Sequence, residues 1–172
     1  MAAGTRDAES REHVIHRLEA FSDIVIGFSL AQLGLNLVLP QHAIDFVQRP
    51  IGTVAFVVTF FVIVRFWWTH FRIFRSYFEP NRIMITLNFC ALAVLILQVF
   101  SLQLYLHFVP LGEGMVASRI YFGLFLFSYG LLGSMFVFGL LYRRKVLTVR
   151  QRFTAIRDAL GIFGVVVGGA IG

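Results

Sequence analysis

The chain has 172 residues, of which 58% are hydrophobic and only 14% are charged. Soluble domains carry roughly 25% charged residues, so this composition excludes an ordinary soluble domain and predicts a membrane protein with several spans. The formal net charge of +6 therefore indicates orientation and lipid contact rather than nucleic-acid binding. The single cysteine, Cys90, excludes an intrachain disulfide and, in its apolar run, is expected to be a small buried packing residue.

Apolar runs long enough to cross a bilayer recur along the chain. A crossing helix needs about 20 apolar residues, and four runs meet that length, at 20–39, 51–70, 83–108 and 116–142. The segment 153–172 begins a fifth run that is short for a crossing, so either the chain is truncated or this segment is a partial or tilted helix. The predicted fold class is all-α, a polytopic membrane helix bundle.

Lysine and arginine are distributed unevenly between the two sides of these spans. Twelve of the 15 lie in the N-terminal segment, the second-to-third loop or the linker after the fourth span, whereas Arg49 and Arg119 lie on the other side. Cytoplasmic loops carry the excess of basic residues, which predicts a cell-membrane protein with a cytoplasmic N-terminus. The linker Arg143–Arg157 either binds anionic lipid headgroups or is a short loop that follows the same charge rule.

Polar and small residues occupy opposite sides of the first span. At 100° per residue, an arc of about 80° contains a polar stripe, which consists of Ser22, Ser29, Gln32 and Asn36. The opposite side carries small residues that permit close helix approach, namely Gly27, Ala31 and Gly34. The stripe either lines an aqueous path or makes hydrogen bonds between helices in a sealed bundle.

Three spans place polar side chains at a similar depth near the cytoplasmic end. Ser22 and Asp23 begin the first span, and Asn88 lies about one turn into the third. Buried polar groups need partners, so we expect Asp23 to accept from Trp67 Nε1, His70 or Arg65 of the second span. This cluster is expected to join the first three spans structurally rather than to contact a transported ion.

The residue types that mark catalytic and metal sites do not occur in the required patterns. The sequence has no phosphate-binding loop, no nucleophile with a base and orienting group, and no zinc-ligand spacing, since His13 and His16 lack supporting ligands. We therefore expect neither an enzyme nor a bound metal or cofactor. The glycines of the fourth span are expected to be close-packing positions; they are Gly123, Gly130 and Gly133.

The residues near the cytoplasmic end also form motifs that resemble a known family. Arg17-x-x-x-Phe21-Ser22-Asp23 resembles the RxxxFSD signature of the transmembrane protein 175 family, which are potassium-permeable channels of prokaryotes and animal lysosomes. Trp67-x-x-His70-x-x-x-Phe74 is similar to the WxxHxxxF stretch of its second span, and Leu87-Asn88 stands at the matching place in the third. The resemblance covers essentially the whole chain.

This resemblance implies six spans per subunit, of which this chain would hold four and part of a fifth. It also implies tetramers in which the first helices line the pore, with a hydrophobic constriction as the gate instead of a carbonyl filter. The corresponding pore positions are Phe28, Gln32 and Leu35, which fall within about 60° of one another on the helix. Residues 1–19 would then be a cytoplasmic segment and residues 20–172 a channel-like transmembrane domain.

Several positions of this chain depart from the family pattern. Phe28 stands where the family usually has isoleucine or leucine, Gln32 puts an amide at a usually apolar position, and Ala31 replaces a frequent hydroxyl residue. The expected function is a leak-like cation channel, a homotetramer in membrane lipid that passes potassium or another monovalent cation. The alternative is a non-conducting membrane scaffold or assembly protein that retains the family fold.

Overall fold

The computed structural model of the chain describes residues 2–35, 44, 50–143, 153, 156, 157, 160 and 161, and all structural statements below concern these residues. Four long α-helices make up this part of the chain, without strands: α1 (Ala2–Leu35), α2 (Ile51–Ser76), α3 (Arg82–Phe108) and α4 (Gly114–Arg143). Each contains a stretch long and apolar enough to cross a membrane. The all-helical membrane bundle predicted from composition is therefore confirmed.

The helices match the four predicted spans, but their ends differ. The helix α2 continues six residues past the predicted end at residue 70, and α1 runs without interruption through the predicted boundary at residues 19 and 20. Apolar runs show where a helix crosses hydrocarbon and not where its hydrogen bonding ends, which explains both extensions. The predicted fifth span, 153–172, and most of the linker 143–157 lie outside the described residues.

A tight connection joins α2 to α3. The helix α2 ends where the amide of Tyr77 bonds to the carbonyl of Ile73. Asn81 then caps α3, and its side-chain oxygen accepts a hydrogen bond of 2.9 Å from the amide of Met84. Glu79 in this connection forms a salt bridge with Arg11 of α1, so the loop is also held by the N-terminal part of the first helix.

The connection between α3 and α4 turns through a short 3-10 helix, Val109–Leu111, which is followed by Gly112. Gly112 has φ of 84°, a conformation that glycine adopts without the penalty of a side chain. The two helices that it joins form the most extensive helix pair of the bundle, and α1 packs against both α2 and α3. The structure is thus an α3–α4 hairpin flanked by α1 and α2.

One hydrophobic cluster extends through all four helices. Its largest fully buried side chains include Phe66 of α2, Leu95 of α3, and Leu132, Met135 and Phe136 of α4. Many large apolar side chains outside this cluster are exposed on the helix surfaces, as expected of a bundle whose solvent is lipid.

Two packing predictions were wrong. Cys90 is exposed on the outward face of α3, because an apolar run does not distinguish a lipid-facing position from a buried one. A side chain added at Gly123 or Gly130 would meet nothing within 4 Å. Gly133, the third glycine of that prediction, is buried. A close approach also occurs at Gly139, where an added Cβ would lie 2.6 Å from the carbonyl oxygen of Tyr77.

Candidate functional site

A chain of hydrogen bonds connects α2, α3 and α1 near their shared end. His70 Nε2 lies 2.7 Å from Asn88 Oδ1, and Asn88 Nδ2 donates to Ser22 Oγ at 3.1 Å. Ser22 Oγ in turn donates to the carbonyl oxygen of Leu18 at 2.7 Å. All three side chains are buried. This chain of bonds is called the inner relay below.

The inner relay has a fixed direction. The carbonyl of Leu18 can only accept, so the Ser22 hydroxyl must donate to it and accept from Asn88. The amide oxygen of Asn88 then faces His70, which must carry its hydrogen on Nε2. The imidazole ring stacks on Phe74 with centroids 4.5 Å apart, and its Nδ1 has no hydrogen-bond partner among the described residues.

Asp23 is held by one of the three donors that the sequence offered. Trp67 Nε1 donates to Asp23 Oδ1 at 2.9 Å. His70 bonds to Asn88 instead, and Arg65 forms no salt bridge with any described residue. Because Asp23 is exposed within the single subunit, this bond lies at the surface of the bundle, beside the buried relay.

The remaining residues of the RxxxFSD pattern lie on the outer side of α1. Phe21 is half exposed and contacts Phe89 of α3 edge to face, with centroids 5.8 Å apart. Arg17 is exposed, and no salt bridge joins it to another described residue. The structure therefore brings together Ser22, Asp23, Trp67, His70 and Asn88, with Phe21 at the rim and Arg17 outside.

The described part of the polar stripe of α1 is mostly turned into the bundle. Ser29 is buried, and its hydroxyl donates to the carbonyl of Val25 at 2.9 Å. Ser22 belongs to the buried relay. Gln32 is half buried at the edge of the stripe, and Asn36 lies outside the described residues. Within the subunit the two serines thus satisfy their hydrogen bonds inside the protein.

The side of α1 next to the polar stripe carries a row of apolar side chains that the subunit does not cover. Ile24, Phe28 and Leu35 are 70%, 67% and 80% exposed. They lie four and seven residues apart and so share one helix face. Gln32 stands beside this row, and together with Phe28 it lines a cleft of about 190 Å³ against Phe100 and Gln103 of α3.

Sequence reasoning missed two polar contacts deeper in the bundle. Thr59 and Tyr121 share a hydrogen bond of 2.8 Å between α2 and α4. The buried Ser128 of α4 donates to Gln98 Oε1 of α3 at 3.4 Å. The polar side chains within the spans were the available signal, but without the helix pairing they identified no partner.

Residues 17–98, which include the inner relay and the exposed face of α1, match the family model for the endosomal/lysosomal potassium channel TMEM175. Over this part, just under half of its length, the chain is similar to the transmembrane protein 175 family. That family is one of potassium channels and not of enzymes. With four described helices long and apolar enough to span a membrane, the chain is a multi-pass membrane protein.

Two further comparisons show similarity to potassium channels. A potassium channel of Marivirga tractuosa is 28% identical over 109 residues, which are 63% of this chain and 41% of that protein. The chain thus spans about two fifths of the length of this curated relative. The crystal structure of a lysosomal potassium-selective channel TMEM175 homolog from Chamaesiphon minutus matches with a TM-score of 0.70 and 21% identity, covering 93% of this chain and 88% of that one. At this identity the match shows the fold.

Proposed function

We propose that this chain is a subunit of a potassium-permeable, leak-like cation channel in the cell membrane. Four copies would place their α1 helices around a central axis, with Phe28, Gln32 and Leu35 lining the pore. Support comes from the similarity of residues 17–98 to a potassium channel family. It also comes from the exposure of Phe28 and Leu35 on α1, with the half-buried Gln32 beside them.

The observation that carries this proposal is the amide of Gln32 beside the exposed apolar row of α1. Lipid tails would cover Ile24, Phe28 and Leu35 at no cost. Gln32, however, makes no hydrogen bond to another described residue, and an unpaired amide in hydrocarbon costs several kcal/mol, roughly 2–7 by transfer scales. Water or the same residue of neighbouring copies would satisfy it, so this face favours a pore over a lipid contact.

Phe28 and Leu35 would then form hydrophobic constrictions one turn to either side of Gln32. A narrow apolar ring gates by losing its water, because an ion cannot shed its hydration shell there without replacement ligands. Four Gln32 amides between the two rings offer carbonyl oxygens to a dehydrated cation. This arrangement predicts a low conductance limited by the bulk of Phe28.

Flux of potassium and sodium into liposomes containing purified protein tests this assignment. We expect Phe28→Ala to raise cation flux at least severalfold, and Gln32→Ala to change the potassium-to-sodium ratio. Phe127→Ala removes an equally exposed ring from α4 and is the matched control, expected to leave both unchanged. If Phe28→Ala and Gln32→Ala behave like Phe127→Ala in assembled tetramers, α1 does not line the pore.

The orientation with a cytoplasmic N-terminus is part of the same proposal. It is supported by the excess of basic residues on one side of the spans. Replacing Cys90 gives a cysteine-free background, in which single cysteines at Ser10 and Glu113 report the two sides. An impermeant maleimide added to intact cells should label Glu113→Cys and not Ser10→Cys. The reverse pattern would contradict the orientation.

A second candidate is a non-conducting scaffold with the family fold. The specific observation in its favour is Phe28, whose ring at the constriction is larger than the residue usual in the family. This alternative requires that assembled tetramers pass no cation even after Phe28→Ala. Cation flux through Phe28→Ala or through the unaltered chain would therefore exclude the non-conducting scaffold.

A further inference from the structure

Arg65 is a charge in the middle of α2 that no residue of the described bundle neutralises. Its side chain is exposed, and no carboxylate among the described residues lies within salt-bridge distance of it. A guanidinium stays protonated, and within a spanning helix it is costly unless it meets a counter-charge. An anion from outside the described bundle is therefore expected at this position.

An apolar groove between α2 and α4 ends at this guanidinium. Val57, Val58 and Phe61 line it from α2, and Phe125 and Tyr129 from α4, with a volume of about 460 Å³. The three α2 residues precede Arg65 by eight, seven and four positions, so they form one row about 12 Å long that leads to its side chain. All three are exposed.

Arg65 is the group that can bind an anion at the end of this groove. The Tyr129 hydroxyl donates to the carbonyl of Val62 at 3.3 Å, so its hydrogen is already used. The other described residues that line the groove have apolar side chains or, like Gly161, none. The site thus combines one bidentate cation with an apolar channel, which is the chemistry of a lipid phosphate followed by its acyl chain.

The depth of Arg65 along α2 agrees with a lipid phosphate. Trp68 and Arg72 follow three and seven residues later, and such residues mark the membrane–water interface. Arg65 therefore lies about 5–10 Å inside that interface. An arginine side chain spans this distance when it extends towards the headgroups while its stem stays against apolar surface.

We propose that the groove binds an anionic glycerophospholipid of the surrounding bilayer. Its phosphate pairs with the guanidinium of Arg65, and one acyl chain lies along Val57, Val58 and Phe61. Net negative charge matters because the choline group of a zwitterionic lipid competes with Arg65 for the same phosphate. This site is separate from the exposed face of α1 and does not depend on conduction.

Native mass spectrometry of the purified full chain tests the site. The protein is equilibrated with phosphatidylglycerol or phosphatidylcholine of identical acyl chains, and bound lipid is counted. We expect the unaltered chain to retain phosphatidylglycerol preferentially, and Arg65→Gln to reduce that preference by about fivefold, the effect of one basic residue on an anionic lipid. Arg119→Gln removes an exposed arginine at the start of α4 and is expected to keep the full preference.

Two further measurements, with Val57→Trp and with glycerol phosphate, test the site independently. Val57→Trp fills the groove and is expected to weaken retention of both lipids. Unchanged retention would contradict the position of the acyl chain, and this variant tests the site even if Arg65→Gln fails to fold. Glycerol phosphate, which has no acyl chain, is expected not to displace bound phosphatidylglycerol, and displacement would contradict a lipid site. If Arg65→Gln keeps the lipid preference, or changes only the oligomer mass, the guanidinium does not bind lipid.

Discussion

The indole nitrogen of Trp67 donates to a carboxylate oxygen of Asp23 at 2.9 Å, and this bond ties the second helix to the first. It lies beside the buried relay of His70, Asn88 and Ser22 but shares no atom with it. The Trp67–Asp23 bond at the surface of the bundle and the inner relay inside it therefore hold α1 independently. The relay and this surface bond should respond differently to mutation.

Trp67→Phe removes the surface bond and keeps an aromatic ring on α2. Since the bond is exposed, we expect a loss of about 1 kcal/mol, which is below the roughly 1.5–3 kcal/mol typical of a hydrogen bond to a charged group. Unfolding in mixed SDS micelles measures it. Trp68→Phe alters the neighbouring exposed indole, for which no hydrogen bond is seen among the described residues, and should have a smaller effect. Equal losses for both variants would show that the Asp23 bond contributes nothing.

Asp23→Ala is expected to lower the yield of assembled tetramers more than it changes ion preference. The carboxylate accepts from Trp67 and lies away from the row of Ile24, Phe28 and Leu35 on α1. Size-exclusion chromatography with light scattering measures assembly, and liposome flux measures the potassium-to-sodium ratio. A fully assembled Asp23→Ala tetramer with altered ion preference would contradict a structural role.

Ser22→Ala and Ser29→Ala form a matched pair on the buried face of α1. Both hydroxyls donate to the backbone four residues earlier, but only Ser22 also accepts from Asn88. Ser22→Ala leaves a buried amide donor unpaired, which costs about 1–3 kcal/mol. Ser29→Ala leaves nothing unpaired except a helix carbonyl, and should stay within about 0.5 kcal/mol of the unaltered chain. The difference between their unfolding free energies measures the relay, and no difference would contradict it.

Gly139→Ala and Gly130→Ala test the close approach of α4 to the α2–α3 connection. An added Cβ at Gly139 would lie 2.6 Å from a backbone oxygen of Tyr77, whereas at Gly130 it would meet nothing within 4 Å. Because backbone cannot move aside cheaply, Gly139→Ala should destabilise by about 1–3 kcal/mol. Gly130→Ala should be neutral or stabilise slightly, since alanine favours helices by up to about 1 kcal/mol. The same unfolding assay compares them, and the opposite order would contradict this packing.

The number and position of the four helices followed from the sequence because crossing hydrocarbon imposes a length and a composition. The inner relay could be predicted in part from the sequence, since Ser22, His70 and Asn88 lie at a similar depth in the membrane-spanning helices. Depth does not specify which groups bond, however, and Asp23 had three candidate donors. That choice depends on helix rotation and tilt, which arise from packing across the whole bundle.

For the glycines and the polar stripe, too, the sequence did not predict which residues make the contacts. Gly123 and Gly130 resemble packing positions in sequence, but the contact at Gly139 depends on where the α2–α3 connection passes. On the polar stripe of α1, Ser29 faces its own subunit while Gln32 reaches the edge of the exposed row. A helical wheel gives only the angles between residues of one helix. The rotation of α1 relative to the other helices is fixed by the inner relay.

The direction of the inner relay also limits how the first helix can move. Turning α1 about its own axis by one residue, roughly 100°, would carry Ser22 away from Asn88 and would bring Ser29 towards the uncovered side. The first change breaks a hydrogen bond, and the second exposes a buried hydroxyl. Rotation of this helix therefore costs free energy. Tilting of α1 about the level of Ser22, or a change of the Phe28 rotamer, leaves the relay intact. Any opening of a path along α1 is therefore expected to proceed by these movements, with the angular position of the helix unchanged.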